Sequence, residues 1–343
     1  MKPLNLFYEE PNPDRWLPFD RFPRRFVRRL VRGPAPIGGQ KLVFVNLCKG
    51  LDLLGIPYRV NDYKYARTHP HEAVGIIGRP FVLEEIKWRN PILFGAALFA
   101  HSIDDPDLLT RLPVKKVLVP GEWMRKMCEP HYGERVVSWP VGIDTAEWSP
   151  ATGLPATERQ DFLLYDKIRW EHDRYEVSLI GPIRESLNTH GLPVAELRYG
   201  YYKEHDFRAL LDRCRAMVFL CEHETQGIAY QQALACGVPI LALDDEGFWR
   251  DPNFYPHRVA FRPVSSVPYW DARCGVKFRG LEEFAARLDE FLEKLDRGFF
   301  APRDYILDNL TLEKCARSYG EHYRQAEAET FPPIKMIDVP IKF

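Results

Sequence analysis

Short apolar runs separated by polar turns recur along the chain, and stretches of helical spacing fall between them. Leu4 to Tyr8 is the first such run. A Pro- and Arg-rich stretch follows and closes in the loop Gly33-Pro-Ala-Pro-Ile-Gly-Gly39, which punctuates the chain instead of extending a strand. From Gln40 to Leu54 apolar residues return at helical spacing, and Gly55-Ile-Pro57 predicts a stop before a strand at Tyr58 to Val60. Further runs at Val74 to Ile77, Ile92 to Ala100 and Val117 to Val119 read as strands, with a helix expected over Glu122 to Cys128 after Pro120-Gly121. Strands alternating with helices imply a parallel sheet covered on both faces.

Three prolines and two glycines lie between Val136 and Ala156, the composition of an exit from one domain into another. The boundary is placed near 155. Beyond it the rhythm repeats. Strands are expected at Phe162 to Tyr165, Val177 to Ile180, Val218 to Cys221 and Pro239 to Leu243, and helices around Asp206 to Cys214, Ile228 to Cys236 and Leu281 to Leu295. Residues 1–155 thus form a first domain and 156–315 a second, with 316–343 a helix and tail that pack back on the first. At 343 residues the chain carries material for two such cores.

Composition narrows the setting. A formal net charge of -1 argues against global attraction to nucleic acid or acidic surfaces, so an electrostatic partner has to be met by a local patch. The seven cysteines stand singly from Cys48 to Cys315 without a C-x-x-C pair, which suits reduced thiols and a cytoplasmic setting better than disulfides or a zinc site. One local patch exists. Residues 1–35 hold eight basic side chains against four acidic ones; Phe22, Phe26 and Leu30 recur every fourth residue, with Arg24, Arg25, Arg28, Arg29 and Arg32 opposite. Such a helix over residues 15–32 suits peripheral contact with anionic lipid at the inner face of a membrane, or packing on its own domain with the arginines in water.

The stretch Met217 to Ala242, MVFLCEHETQGIAYQQALACGVPILA, is the most informative. It reads as a buried strand, a polar turn, a glycine opening a helix, and Ala-Cys-Gly closing that helix into another strand. A turn at the carboxyl end of a parallel strand faces the crevice where open α/β sheets bind ligands. Backbone N–H groups near Gln226, Gly227 and Ile228 then sit at a helix N-terminus, a position suited to phosphate oxygens. Glu224 is placed to accept from ligand hydroxyls, or else to cap the helix.

The segment resembles the donor-binding motif of retaining GT-B glycosyltransferases of the glycosyltransferase group 1 type: a Glu, seven residues, then a second Glu followed by Ala, and a Gly-Val-Pro strand entry. Glu224 holds the first position, Gln232 the second, Ala233 follows, and Cys236-Gly-Val-Pro239 is the ending. Val117 to Met124, Val141 to Thr145 and Trp148 to Pro150 resemble the family's exit from its N-terminal domain. The resemblance implies two doubly wound, Rossmann-like α/β domains facing a cleft. It assigns Glu224 to the hydroxyls of the donor sugar and Gln232, an amide that both donates and accepts, to the ribose. Lys167 stands where the family's diphosphate-binding Arg is usual, with Arg169 nearby and His172 at the later Lys position. Gly39 belongs to the glycine turn that approaches the diphosphate, His101 to the position facing the reacting sugar, and Tyr201 to the loop that cradles the base.

The activity so implied is transfer of a sugar from a UDP- or GDP-sugar to a carbohydrate or lipid-linked acceptor, with retention, without a metal or a tightly bound cofactor, in the synthesis of cell-envelope polysaccharide or glycolipid. A sugar-nucleotide epimerase and a non-catalytic nucleotide- or sugar-binding protein are the alternatives. No nucleic-acid partner is expected.

Overall fold

The computed structural model describes residues 2–10, 38–78, 80–96, 100–151 and 161–328. The basic stretch 15–32, the boundary expected near 155 and the tail beyond 328 lie outside the described residues. Two compact units are present. One is built from residues up to Val119, from Cys128–Trp139 and from Cys315 onward; the other comprises Pro120–Met127 and Pro140–Lys314.

The first unit carries β1 (Leu4–Phe7), α1 (Gly39–Leu53), β2 (Tyr58–Val60), α2 (Tyr63–Thr68), β3 (Val74–Ile76), β4 (Ile92–Phe94), α3 (Leu108–Arg111), β5 (Val114–Val119) and β6 (Val136–Ser138). The strands form a six-stranded parallel sheet in the order β2-β1-β3-β4-β5-β6. Its central strands are buried on both sides, as a covered parallel sheet demands. Of the run Ile92 to Ala100 only Ile92–Phe94 is strand, and 97–99 lie outside the described residues.

Helix α4 (Glu122–Tyr132) joins β5 to β6, and β7 (Asp161–Lys167) opens the main run of the second unit. It leads through α5 (His172–Tyr175), a π turn (Glu176–Ile180) and α6 (Gly181–Thr189) to β8 (Val194–Arg198), then α7 (Glu204–Arg213), β9 (Cys214–Cys221), α8 (Ile228–Ala235), β10 (Ile240–Leu243), β11 (Gly275–Phe278), α9 (Leu281–Asp296) and α10 (Pro302–Asn309). The sheet is parallel, in the order β11-β10-β9-β7-β8. Alternate residues go to opposite faces. Phe162 and Leu164 of β7 and Ala216, Val218 and Leu220 of β9 pack with Ile183 of α6 and Phe284 of α9. Tyr165 and Phe219 go the other way, with ring centroids 5.4 Å from Phe207 of α7 and 5.7 Å from Tyr230 of α8, respectively.

One expectation changes here. Val177 to Ile180 is helical, not strand: Leu179, Ile180, Ile183 and Leu187 fill the core at three- and four-residue spacing, while Val177 is 78% exposed. A four-residue apolar run does not distinguish a strand from one turn of a buried helix, and here helical spacing continues past it. The strand that pairs with β7 on the side away from β9 is β8, whose Val-Ala-Glu-Leu-Arg sequence is half exposed at the sheet edge.

The last helix, α11 (Leu312–Ala328), serves the first unit from Cys315 onward. Trp139 donates its indole N–H to the Cys315 carbonyl at 2.9 Å and stacks edge-on against Tyr319. The Tyr323 hydroxyl accepts from the Asn5 amide at 3.1 Å and donates to the Ala73 carbonyl, tying the helix to β1 and β3. Among the described residues no helix is long and apolar enough to cross a membrane.

Candidate functional site

In the second sheet, β7 leads to β8 on one side and β9 leads to β10 on the other. The carboxyl ends of β7 and β9 are therefore the switch point at which doubly wound sheets bind ligands. Lys167 and Cys221, the last residues of the two strands, are partners across the ladder. From there the Lys167 ammonium reaches Glu224 Oε1 in an ion pair whose side chains are only 11% and 10% exposed. It also lies 4.3 Å from the centre of the Tyr199 ring. Burial disfavours the Lys167 charge, but Glu224 outweighs it and holds the ammonium above its ordinary range. The site thus keeps a fixed cation beside a fixed carboxylate.

Glu224 is held by its backbone as well. Its amide donates to the Ser265 carbonyl at 2.9 Å, and its carbonyl accepts from the Trp123 indole at 2.8 Å. Beneath it lies His223, between Trp170 and Trp123 with ring centroids at 5.2 and 5.6 Å. One guanidinium nitrogen of Arg169 donates to the His223 carbonyl at 3.1 Å and stands 3.3 Å from both ring nitrogens, a placement over the ring face. Burial, then the charges of Arg169 and Lys167, push the His223 imidazole down to about 3. The folded state keeps it neutral while the unfolded chain takes up a proton near its ordinary value of 6.5, so stability is complete above that pH and lost as pH falls towards 3. His223→Phe is expected to flatten the fall of melting temperature between those values; an unchanged acid limb in thermal melts would remove His223 from the account.

Helix α8 is preceded by its N-cap, Gly227, which has φ 75°. A Cβ there would meet the Tyr230 ring at 2.0 Å, so both conformation and space require glycine. Gln231 makes the first helical bond, to the Gly227 carbonyl, leaving the amides of Ile228, Ala229 and Tyr230 outside the ladder. The helix has no side-chain cap, and Glu224 is engaged with Lys167 instead of capping it. Gln226 is buried in a local knot: its Oε1 accepts from the Val141 amide at 3.0 Å and its Nε2 donates to Gln231 at 3.0 Å. Its side chain is occupied, so only its backbone remains for a ligand. Gln232 is 7% exposed, and its side-chain amide makes no hydrogen bond among the described residues.

The remaining sequence candidates fall as follows. Arg169 is tied to His223 and lies 3.8 Å from Glu222, close to the site but bound into its walls. Tyr201 is 78% exposed with the Arg198 guanidinium 5.0 Å from its ring. His172 Nε2 contacts Asp166 Oδ2 at 2.6 Å, while Asp166 Oδ1 accepts from the Ile168 amide, so His172 braces the loop after β7. Gly39 and His101 belong to the first unit. Gly39 opens α1 after Gly38, and a Cβ on either meets nothing within 4 Å. His101 is buried, and its Nδ1 accepts from the Ile103 amide at 3.0 Å, which assigns the ring proton to Nε2. Sequence reasoning passed over Trp123, Asp166, Glu222 and His223. The signal for the two acids was their place at the ends of apolar strand runs.

No protein-family model matches the chain, nor does any curated protein sequence. Solved structures do match, over nearly the whole length. Sucrose-phosphate synthase from Thermosynechococcus elongatus shares 12% identity with a TM-score of 0.57, over 95% of this chain and 99% of that one. AviGT4, a glycosyltransferase involved in avilamycin A biosynthesis, shares 14% identity with a TM-score of 0.50 over 96% and 99%. The chain has the GT-B fold. WaaG, a glycosyltransferase involved in lipopolysaccharide biosynthesis, shares that GT-B architecture at 13% identity and a TM-score of 0.50, over 84% of this chain and 96% of its own. The two doubly wound parallel sheets expected from the sequence are those of this fold.

Proposed function

We propose that this protein is a glycosyltransferase that moves a sugar from a UDP- or GDP-sugar to an acceptor hydroxyl with retention, without a metal, on the cytoplasmic side of the cell. The observation that carries the reading is the buried Lys167–Glu224 pair at the switch point, beside the unladdered amides of α8. One such site offers a cation and helix amides to a diphosphate and a carboxylate to sugar hydroxyls. Lys167 and the amides of Gly227 and Ile228 hold the diphosphate, where negative charge builds as the bond to the anomeric carbon breaks. Glu224 orients the sugar. The unpartnered amide of Gln232 takes the ribose hydroxyls, and Tyr201 the base. The acceptor oxygen forms the new bond to the anomeric carbon, its proton passing to a phosphate oxygen of the leaving group. A carbohydrate or lipid-linked acceptor of cell-envelope synthesis fits this chemistry.

A panel of UDP- and GDP-sugars read by thermal shift tests the reading. The matching donor at about 100 times its Kd adds about 2.7 kcal/mol to the unit that binds it. That donor should then label an added acceptor. Stabilisation by no panel member would sink the proposal, and product without acceptor would turn it into an epimerase.

A further inference from the structure

A second buried carboxylate stands at the same end of the second sheet, one strand further on. Asp244, directly after β10, is 4% exposed. Its Oδ1 accepts from the Ser266 amide at 2.8 Å; its Oδ2 accepts from the Ser265 hydroxyl at 3.0 Å and from the Lys277 ammonium of β11 at 2.8 Å. Its own amide donates to the Phe278 carbonyl at 2.8 Å, which anchors it to β11. The loop it grips, residues 263–269, has no helix or strand of its own. Other bonds complete the grip: the Val267 amide donates to the Ser265 hydroxyl at 3.1 Å, the Ser266 hydroxyl donates to the Leu243 carbonyl, and the Tyr269 amide donates to the Tyr230 hydroxyl of α8 at 3.0 Å. From this loop the Ser265 carbonyl receives the Glu224 amide at 2.9 Å. A single residue, Ser265, thus links Asp244 to the Glu224 backbone.

We propose that Asp244 is a positioning residue for Glu224: by fixing Ser265 and Ser266 it sets where the Ser265 carbonyl stands, and with it the Glu224 carboxylate against the donor sugar. The inference rests on the transfer reaction proposed above. Glu224 lies beyond Cys221, the last residue of β9, in a turn without a strand ladder, so its peptide is placed by long-range bonds. Trp123 holds the carbonyl side and Ser265 the amide side. An irregular loop offers a fixed carbonyl only where something rigid holds it. Asp244 does so with charge-assisted bonds to two successive loop residues and to a lysine on the neighbouring strand, and such bonds are about twice as strong as neutral ones. A buried ion pair adds little net stability over apolar side chains of the same shape, so what this one secures is geometry. The Lys277 side chain is 38% exposed and turns to water when Asp244 is neutralised, which lets an Asn variant fold.

Hydrogen exchange read by NMR on the full chain tests the link without any substrate. In Asp244→Asn the Glu224 amide should exchange about tenfold faster, while the amides of Val218 to Leu220 in β9 keep their protection. Transfer assays test the consequence. In Asp244→Asn kcat should fall about tenfold with the Kd for UDP or GDP unchanged, and Ser265→Ala, which removes only the hydroxyl link, should lower it less. In a Glu224→Gln background Asp244→Asn should cost less than about twofold, because the group it positions is already gone. A structural role would instead lower transfer by the same factor in both backgrounds and open β9 together with Glu224. Either of those results overturns the inference, as does an unchanged exchange rate at Glu224 or a nucleotide affinity that falls with kcat. An unmodified protein that transfers no sugar overturns the donor reading and this inference with it, and faster exchange at Glu224 in Asp244→Asn tells that case from failure of Asp244 alone.

Discussion

Glu224→Gln should lower the rate of sugar transfer by about one to two orders of magnitude while leaving nucleoside diphosphate binding undiminished. A carboxylate accepting from sugar hydroxyls makes charge-assisted bonds, and losing that charge costs about 1.5–3 kcal/mol, the stated range in rate if the bonds tighten at the transition state. Binding of the diphosphate does not fall, because Lys167 is released from its ion pair and the diphosphate itself brings the negative charge that Glu224 had supplied. Stability should drop as well, since the substitution leaves a buried ammonium without its partner. Steady-state transfer rates, calorimetric affinity for UDP or GDP and melting temperature check the three parts. Near-normal transfer by the Gln variant would remove Glu224 from sugar recognition.

Lys167→Met should weaken nucleoside diphosphate binding by about ten- to a hundredfold and destabilise the second unit by about 3 kcal/mol, the scale for breaking a buried ion pair from one side. The double variant Lys167→Met with Glu224→Gln separates the two roles. Removing both charges should restore most of the stability, because no buried charge is left unpaired, yet it should not restore diphosphate binding. If binding and stability recover together, Lys167 is a structural partner of Glu224 and no phosphate ligand.

Much of this architecture was legible because parallel strands buried on both faces leave continuous apolar runs, as in Met217 to Cys221 and Ile240 to Leu243. The segment from Glu224 to Pro239 was legible for a different reason: a glycine at positive φ, an apolar helix and a second glycine turn leave few residue choices. Edge strand β8 was not. Half-exposed positions accept Glu and Arg, which erases the apolar signal. The supports of the candidate site were equally hidden. Trp123 lies 101 residues from the carbonyl it binds and Gln226 lies 85 from Val141, and contacts at such separations leave no periodic trace. His223 reads as one more polar residue in a turn, although burial makes it a neutral pivot against two tryptophans.

The interleaving of the two units bears on how the chain folds as it is made. Residues 140–314 of the second unit are contiguous, and the short piece 120–127 that completes it precedes them. All of its described parts are therefore synthesised before Cys315, where the first unit's share of α11 begins. The first unit is different. Its β1 and β3 emerge early, but the Tyr323 hydroxyl that bridges them comes 318 residues after Asn5 and 250 after Ala73, and the Cys315 carbonyl comes 176 after the Trp139 it receives. The unit that begins first is thus the last able to close, and in the interval its early strands lack a helix that covers them. A released chain ending at Lys314 would present a second unit resistant to proteolysis and a first unit still open to it.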